Sequence, residues 1–402
     1  MAIDVGHAIL QYNRGREPER LRMKYAAMRR SAFSFLRGSC HLFNARAPAH
    51  ALMTAAPPVW SCGDLHVENF GSYKGENRLA YFDINDFDEA VLAPLSWDLL
   101  RFLTSVLVGA HEMGLSPTAA QALCAIFLDA YGATLASGKS TCVERSTATG
   151  LLRELFDHVM LRTRPDFLDS RTVIDGAKRR IRIDGRKALA ASAQERARAI
   201  ALLDQFARTQ ANPKFFKPID VARRIAGTGS LGLERYVILV KGKGNTDGNY
   251  LLDLKEAVPS SLPPHLTTAQ PRWKTEAQRV VGLQYRMQAV DIAFLHAIDG
   301  GRTSYVLRAL LPSEDRIHFD RGADSYDSIA AVISTMGTVV ASAQLRSAGR
   351  AQSATADELI AFAKKKQWKA TLQGLALRCA ERAGHDWQAY CSDYDKGRFG
   401  GA

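Results

Sequence analysis

Residues 62–89 read CGDLHVENFGSYKGENRLAYFDINDFDE, and the interpretation of the whole chain turns on this stretch. Asp64 and Asn69 sit five positions apart. Lys74-Gly75-Glu76-Asn77 has the composition of a hairpin turn. Leu79 to Phe82, aromatic and apolar, is expected to be a buried strand. Asp83, Asp86, Asp88 and Glu89 follow at once. Acids collected at a strand end repel one another, and a cation or arginines must offset that repulsion.

Phosphoryl transfer is the chemistry that wants this arrangement. One Asp orients or deprotonates an attacking hydroxyl, while a downstream Asn and a second Asp hold magnesium on nucleotide phosphates. Asp64 fits the base, and Asn69 and Asp83 fit the metal ligands. Spacing from Asn69 favours Asp83, whereas the string Asp86-Phe87-Asp88 favours Asp86. Both stay open, in that order. A bare D-x-x-x-x-N is also what an acidic loop with turn-capping residues looks like.

A second signal lies far downstream. Val221 to Ala226 is strand-like. Gly227-Thr228-Gly229-Ser230-Leu231-Gly232 follows, then strands at Tyr236 to Val240 and Tyr250 to Leu254, closed by Lys255. A G-x-G-x-x-G that opens a strand and not a helix argues against a dinucleotide-binding fold. Between antiparallel strands, with a Lys on the next strand, it is the phosphate-covering element of kinases. A β-meander with glycines in its turns is the plain alternative. Lys255 is expected to bridge the α- and β-phosphates. Glu276, on a helix expected over Thr275 to His296, is the candidate carboxylate to hold it. Arg37, before Gly38, is placed to reach a phosphate or to pair with the acidic cluster. Asp98 sits inside an apolar helix start, where a buried carboxylate needs donors. The backbone amides of the acidic loop are the expected partners.

At 402 residues with 47% hydrophobic content, the chain is long enough for two lobes around a sizeable core. The net charge of +12 favours anionic partners. Lys178-Arg179-Arg180 with Arg182, Arg186 and Lys187 is the one dense basic run, but it lacks interleaved aromatics, so nucleic acid is disfavoured. No run of eighteen apolar residues occurs. The best candidate, Leu95 to Ala110, is interrupted by Asp98 and Arg101, so no membrane span is expected. The N-terminus does not resemble a signal peptide. Six scattered cysteines without a C-x-x-C point to reduced thiols in a cytoplasmic protein, with no zinc site.

Residues 7 to 47 and 90 to 210, and those from Ser325 onward, are expected to be mostly helical. The division is 1–212 helical with the catalytic and metal-binding loops, 213–312 a small β-rich nucleotide-binding lobe, and 313–402 helices returning to the first part. In the usual kinase order the glycine loop precedes the catalytic Asp. Here it follows by more than a hundred residues, which a circular permutation explains. The helix containing Gly337 to Arg346 would then stand ahead of the catalytic loop in space.

The segments FSFLRGS (33–39), CGDLHVENFG (62–71), FDINDFDEA (82–90), PLSWDLLRF (94–102), GTGSLG (227–232) and LLDLKEA (251–257) resemble the bacterial domain-of-unknown-function family twenty-two fifty-two. The GDLHxxN-like and ID-like segments are also similar to those of aminoglycoside and choline kinases. The resemblance implies an α+β, bilobal, protein-kinase-like fold, circularly permuted, with ATP and Mg2+ as cofactors. It supplies no acceptor. One departure is Gln344, where a His is expected. The functional expectation is an ATP- and Mg-dependent phosphotransferase acting on an unknown hydroxyl acceptor, a small molecule by analogy or a protein. Nucleotidyl (AMP) transfer and a nucleotide-binding pseudoenzyme are the alternatives.

Overall fold

The computed structural model describes residues 3–176, 178–312, 315–319, 322 and 324–400. It is a mixed α+β protein with several small sheets. The acidic stretch is framed by two short strands, Pro58–Ser61 and Val91–Pro94, paired antiparallel. Between them run the loop at 62–66, a 3-10 turn at Val67–Asn69, and a hairpin of Phe70–Lys74 with Ala80–Ile84. The turn at 74–79 forms as expected, with Gly75 N donating to Leu79 O at 3.0 Å. The second strand lies about two residues later than its apolar run suggests.

Helix Ser96–Gly109 starts directly after this frame. It buries Leu99, Leu100, Phe102, Leu103 and Val106 in the largest core, with Pro117–Ser137, Tyr326–Ser347 and Trp368–Asp395 around it. Phe102 stacks on Phe127 at 3.9 Å. Pro117–Ser137 and Tyr326–Ser347 are long and apolar enough to cross a membrane, with mean hydropathy 1.4 and 1.5. Leu95 to Ala110 is not among such helices. The two helices lie against each other in the core. A Cβ at Gly337 would stand 2.5 Å from Phe127 O, so glycine there permits the close approach. Gln344 accepts from Tyr131 Oη at 2.5 Å, so a neutral amide fills the place where His was expected.

A six-stranded antiparallel sheet runs, in spatial order, His296–Asp299, Ser304–Ala309, Tyr250–Ala257, Arg235–Val240, Pro218–Arg224, Ala188–Ala190. Tyr236 faces Arg223 in the register, so the glycine loop joins neighbouring strands, and Arg235 faces Lys255 on the next strand. Strand period two puts Leu252 and Leu254 on one face and Asp253 and Lys255 on the other. Helix Ala193–Arg208 covers the first face, packing Leu202, Leu203 and Phe206 against Tyr236, Ile238 and Leu254. The 212/213 boundary expected from sequence therefore falls inside one packed unit, which also includes the strand at 188–190.

Helix Glu276–Met287 stops nine residues short of the expected His296. Gln288 Nε2 donates to Ile84 O at 2.7 Å, and Ala289 N donates to Asp83 at 2.9 Å. These bonds to the acidic hairpin draw the backbone off the helical path. Residues 163–187, expected as a loop or hairpin, form helix Arg164–Asp169 and the hairpin Thr172–Asp175 with Lys178–Ile181.

The N-terminal region is four helices from Val5 to Ala45, broken at 13–17, at Ser31 and at Ser39. Ser31 caps the third by accepting from Ser34 N. The first packs on Trp368–Asp395, and Asp4 pairs with Arg398 at 2.8 Å, so the two chain ends are neighbours. The segment after Tyr326–Ser347 runs beside Pro58–Ser61. Ala354 N donates to Pro58 O at 2.7 Å, and Trp60 Nε1 donates to Arg350 O at 3.1 Å.

Candidate active site

Asp98 organises the loop at 62–69. Its carboxylate accepts from Cys62 N and Gly63 N, both at 2.9 Å, as the sequence led one to expect. Burial pushes its carboxyl up to about 6, against the pull of those two amides. Gly63 has φ +80°, and a Cβ there would overlap the carbonyl oxygen of Glu89. Glycine thus lets the loop at 62–69 lie directly on the segment 86–89. Glu89 is pinned from the other side. It accepts from Ser261 N at 2.6 Å, Ser260 Oγ at 2.9 Å and Tyr12 Oη at 3.3 Å. Burial pushes its carboxyl upward despite these donors.

The result is a cleft of about 70 Å3 lined by Asp64, Asn69, Asp86, Arg37 and residues 227–230. Segments separated by about 140 positions meet there. Asp64 is held by Arg101, whose Nε donates at 2.9 Å from a site only 1% exposed. Asn69 turns its Nδ2 to the carbonyls of Asp64 at 3.2 Å and Asp86 at 3.3 Å. Its Oδ1 accepts no hydrogen bond among the described residues. Burial alone would raise the Asp86 carboxyl. Lys255, Arg308, Arg316 and Arg235 outweigh burial and hold it below the usual carboxylate range.

Lys255 Nζ pairs with Asp88 and stands 4.0 Å from Asp86 Oδ1. Glu276 is not its partner. That carboxylate accepts from Arg279 Nε at 2.6 Å, one helical turn away on its own helix. The arginine in turn donates to the backbone of Asp88, Ala90 and Val258. An i,i+3 neighbour is always within reach, so Glu276 has a local cation and Lys255 is left to the acidic segment.

Asp83 lies outside the cleft lining. It is 2% exposed and accepts from Ile84 N at 2.8 Å, Ala289 N at 2.9 Å and Arg346 Nη2 at 3.2 Å. Strand alternation turns it to the hairpin's inner face, and the chain reaches the cleft only three residues later. Of the two candidates, Asp86 is the one that lines the cleft. Arg37 lines the cleft and pairs with Glu68, outside the acidic cluster at 83–89.

The glycine loop is tied down from the N-terminal helices. Arg16 Nη1 donates to Gly229 O at 2.8 Å, Lys24 Nζ to Gly229 O at 2.9 Å, and Glu17 N to Gly232 O at 2.8 Å. Gly227 and Gly232 have φ +74° and +89°. A Cβ on Gly229 would press on Arg37 O at 3.3 Å. These anchors, and Arg101, Asp88 and Arg316, were missed from sequence. The one available signal was Asp98 and Arg101 spaced i,i+3 within an apolar helix.

Among the described residues no three His, Cys, Asp or Glu side chains converge as a protein-only metal cage. The hard oxygens of Asn69 and Asp86 suit magnesium, which takes one or two protein ligands and completes its shell with phosphates and water.

The fold and cleft define an α+β protein with an acidic loop facing a glycine-rich hairpin across one site. The chain belongs to the family described as an uncharacterized protein conserved in bacteria (DUF2252), whose family model matches residues 16–393. No curated protein matches it, and no solved structure does.

Proposed function

We propose that this protein is an ATP- and Mg-dependent phosphotransferase acting on a hydroxyl acceptor, with a kinase-like site in rotated sequence order. One observation carries the reading: Asp64, Asn69 and Asp86 line the same cleft as Gly227 to Ser230. In kinases a glycine loop covers the phosphates, an Asp accepts the acceptor's proton, and an Asn and an Asp hold the metal. Asp64 would accept the acceptor's proton while Arg101 fixes its orientation. Asn69 and Asp86 would hold magnesium, which when bound neutralises charge on the transferred phosphoryl group. The amides of Gly227 to Ser230 would approach the phosphate oxygens, since glycine leaves no Cβ in the way. Lys255, now on Asp88, would exchange that partner for phosphate.

The rotated order is supported by the neighbouring chain ends, joined through Asp4 and Arg398. It is supported too by the passage of the segment after Tyr326–Ser347 alongside the strand that enters the catalytic loop.

The test is thermal unfolding with and without Mg-ATP, followed by product analysis with candidate acceptors. A ligand that binds only the folded state raises its stability with occupancy. Mg-ATP is expected to raise the midpoint of the native protein, and much less that of Lys255→Ala or Asp86→Asn. ADP is the expected nucleotide product. No midpoint shift at millimolar Mg-ATP, or pyrophosphate as product, would overturn the reading.

A further inference from the structure

A second cavity of about 320 Å3 opens beside the first and shares Gly227 and Arg316 with it. Its floor is the sheet face that carries Lys255. On that face Asp253 is shared by three guanidinium groups: Arg224 at 2.6 Å, Arg235 at 2.7 Å and Arg308 at 3.7 Å. One carboxylate cannot neutralise three cations. Burial and neighbouring arginines hold both Arg224 and Arg316 below their ordinary values.

The opposite wall comes from the dense basic run, and the fold splits that run in two. Arg179 turns inward to Asp169 and Asp247, at 2.5 and 2.9 Å. Arg180 pairs with Asp175 at 2.9 Å. Arg182 and Arg186 instead line the cavity. Arg182 donates only to the backbone carbonyls of Asp169 and Thr172, at 3.0 and 3.3 Å. Among the described residues no carboxylate pairs with Arg182, Arg186 or Arg316. Among the described residues Asp184 is the single acid of the lining. Its carboxylate accepts from the amides of Arg186 at 2.8 Å and Lys187 at 2.7 Å, so it is engaged within its own turn.

Among the described residues, eight basic side chains and one acidic one therefore line a concave space of ligand size. Among the described residues no aromatic side chain lines it, so they offer no stacking platform of the kind single-stranded nucleic acid uses. Guanidinium groups are matched to phosphate by their planar fork of donors. We propose that this cavity binds a multiply phosphorylated small molecule, seated on Arg182, Arg186, Arg308 and Arg316, and extends the transfer cleft toward it. The extension rests on the phosphotransferase reading, whereas anion binding in the cavity does not.

The experiment is calorimetric titration of the full chain with inorganic tripolyphosphate in EDTA, beside adenosine and a single-stranded RNA oligonucleotide. Arg182→Glu/Arg186→Glu is the main variant, and both positions are exposed, so folding is preserved. Arg316→Ala is the second variant. Tripolyphosphate is expected to bind without magnesium, tenfold or more weakly to the double variant, and with an affinity that falls as salt rises. Adenosine is expected not to bind. Absence of tripolyphosphate binding at millimolar concentration, or affinity unchanged in both variants, would overturn the proposal. RNA binding more tightly with the same arginine dependence would replace it with a nucleic-acid interface. Asp86→Asn separates the two readings. It should abolish the Mg-ATP effect and leave metal-free tripolyphosphate binding intact or tighter. Tripolyphosphate binding without any Mg-ATP effect in the native protein sinks the transfer reading alone, and the converse sinks the cavity alone.

Discussion

Arg101 Nε donates to Asp64 Oδ1 at 2.9 Å, while Nη2 of the same guanidinium donates to Leu36 O at 2.6 Å. The arginine is buried and the aspartate faces the cleft. Arg101 therefore ties the loop at 62–69 to the helix Ala32–Gly38 that carries Arg37. Arg101→Met should destabilise the protein by about 3 kcal/mol, because it strands a carboxylate beside a buried gap. Arg101→Lys keeps the charge but cannot span both acceptors, and should recover only part of that loss. Urea unfolding of the two variants measures it. Equal stability of Arg101→Met and the native protein would refute the tie.

Asp83 and Asp86 should separate cleanly. Asp83→Asn leaves the cleft intact but disturbs an acceptor of two amides and Arg346, so it should cost about 2 kcal/mol of stability. Its midpoint should still rise with Mg-ATP. Asp86→Asn should also lower stability, because Lys255, Arg308 and Arg316 lose their carboxylate, but unlike Asp83→Asn it should remove the Mg-ATP response. Thermal scans of both variants at matched nucleotide decide the matter, and the opposite pattern would restore Asp83 as the metal ligand.

Asp98 gives the fold a pH signature. Its folded-state carboxyl stands at about 6, above its unfolded value near 4, because burial disfavours the charge. The folded state then binds more protons than the unfolded state between these limits. Its contribution to stability is greatest below about pH 4, falls as pH rises toward 6, and stays lower above that. The loss is about 3 kcal/mol. Asp98→Asn does not titrate and should flatten that part of the stability curve. Chemical unfolding at half-unit steps from pH 4 to 7 tests this, and an identical slope in the variant would contradict it.

Gly63→Ala should be more damaging than a loop substitution normally is. The residue has φ +80°, and its missing Cβ is where Glu89 O lies. Strain and displacement together should cost about 2 kcal/mol or more, and the loop carrying Asp64 should shift away from residues 86–89. Mg-ATP affinity is expected to fall along with stability. Gly15→Ala is the control. It also has positive φ, but open space surrounds it.

Much of this was legible in local sequence. The hairpin turn at 74–77 and the strands around the glycine loop formed where their residues place them. So did the bonds from Cys62 and Gly63 to Asp98, because a buried carboxylate next to an amide-rich loop has few other donors. The errors share one cause. Glu276 was assigned to Lys255 by analogy of position, but Arg279 reaches it within one helical turn. The helix expected to His296 ends at Met287 because Gln288 and Ala289 bond to a hairpin two hundred residues away. Neither outcome follows from the local string.

The sequence alone determined which chemistry the chain can offer. An Asp, an Asn and a further acid close together, a glycine loop between strands, and a Lys at a strand end are fixed by residue type and short spacing. Only the tertiary structure decided which acid faces the cleft, which cation holds which carboxylate, and that half of the basic run at 178–187 lines a cavity. Period and propensity act over a few residues. Ion pairs form by distance in space, and here their partners lie from three to more than three hundred positions apart.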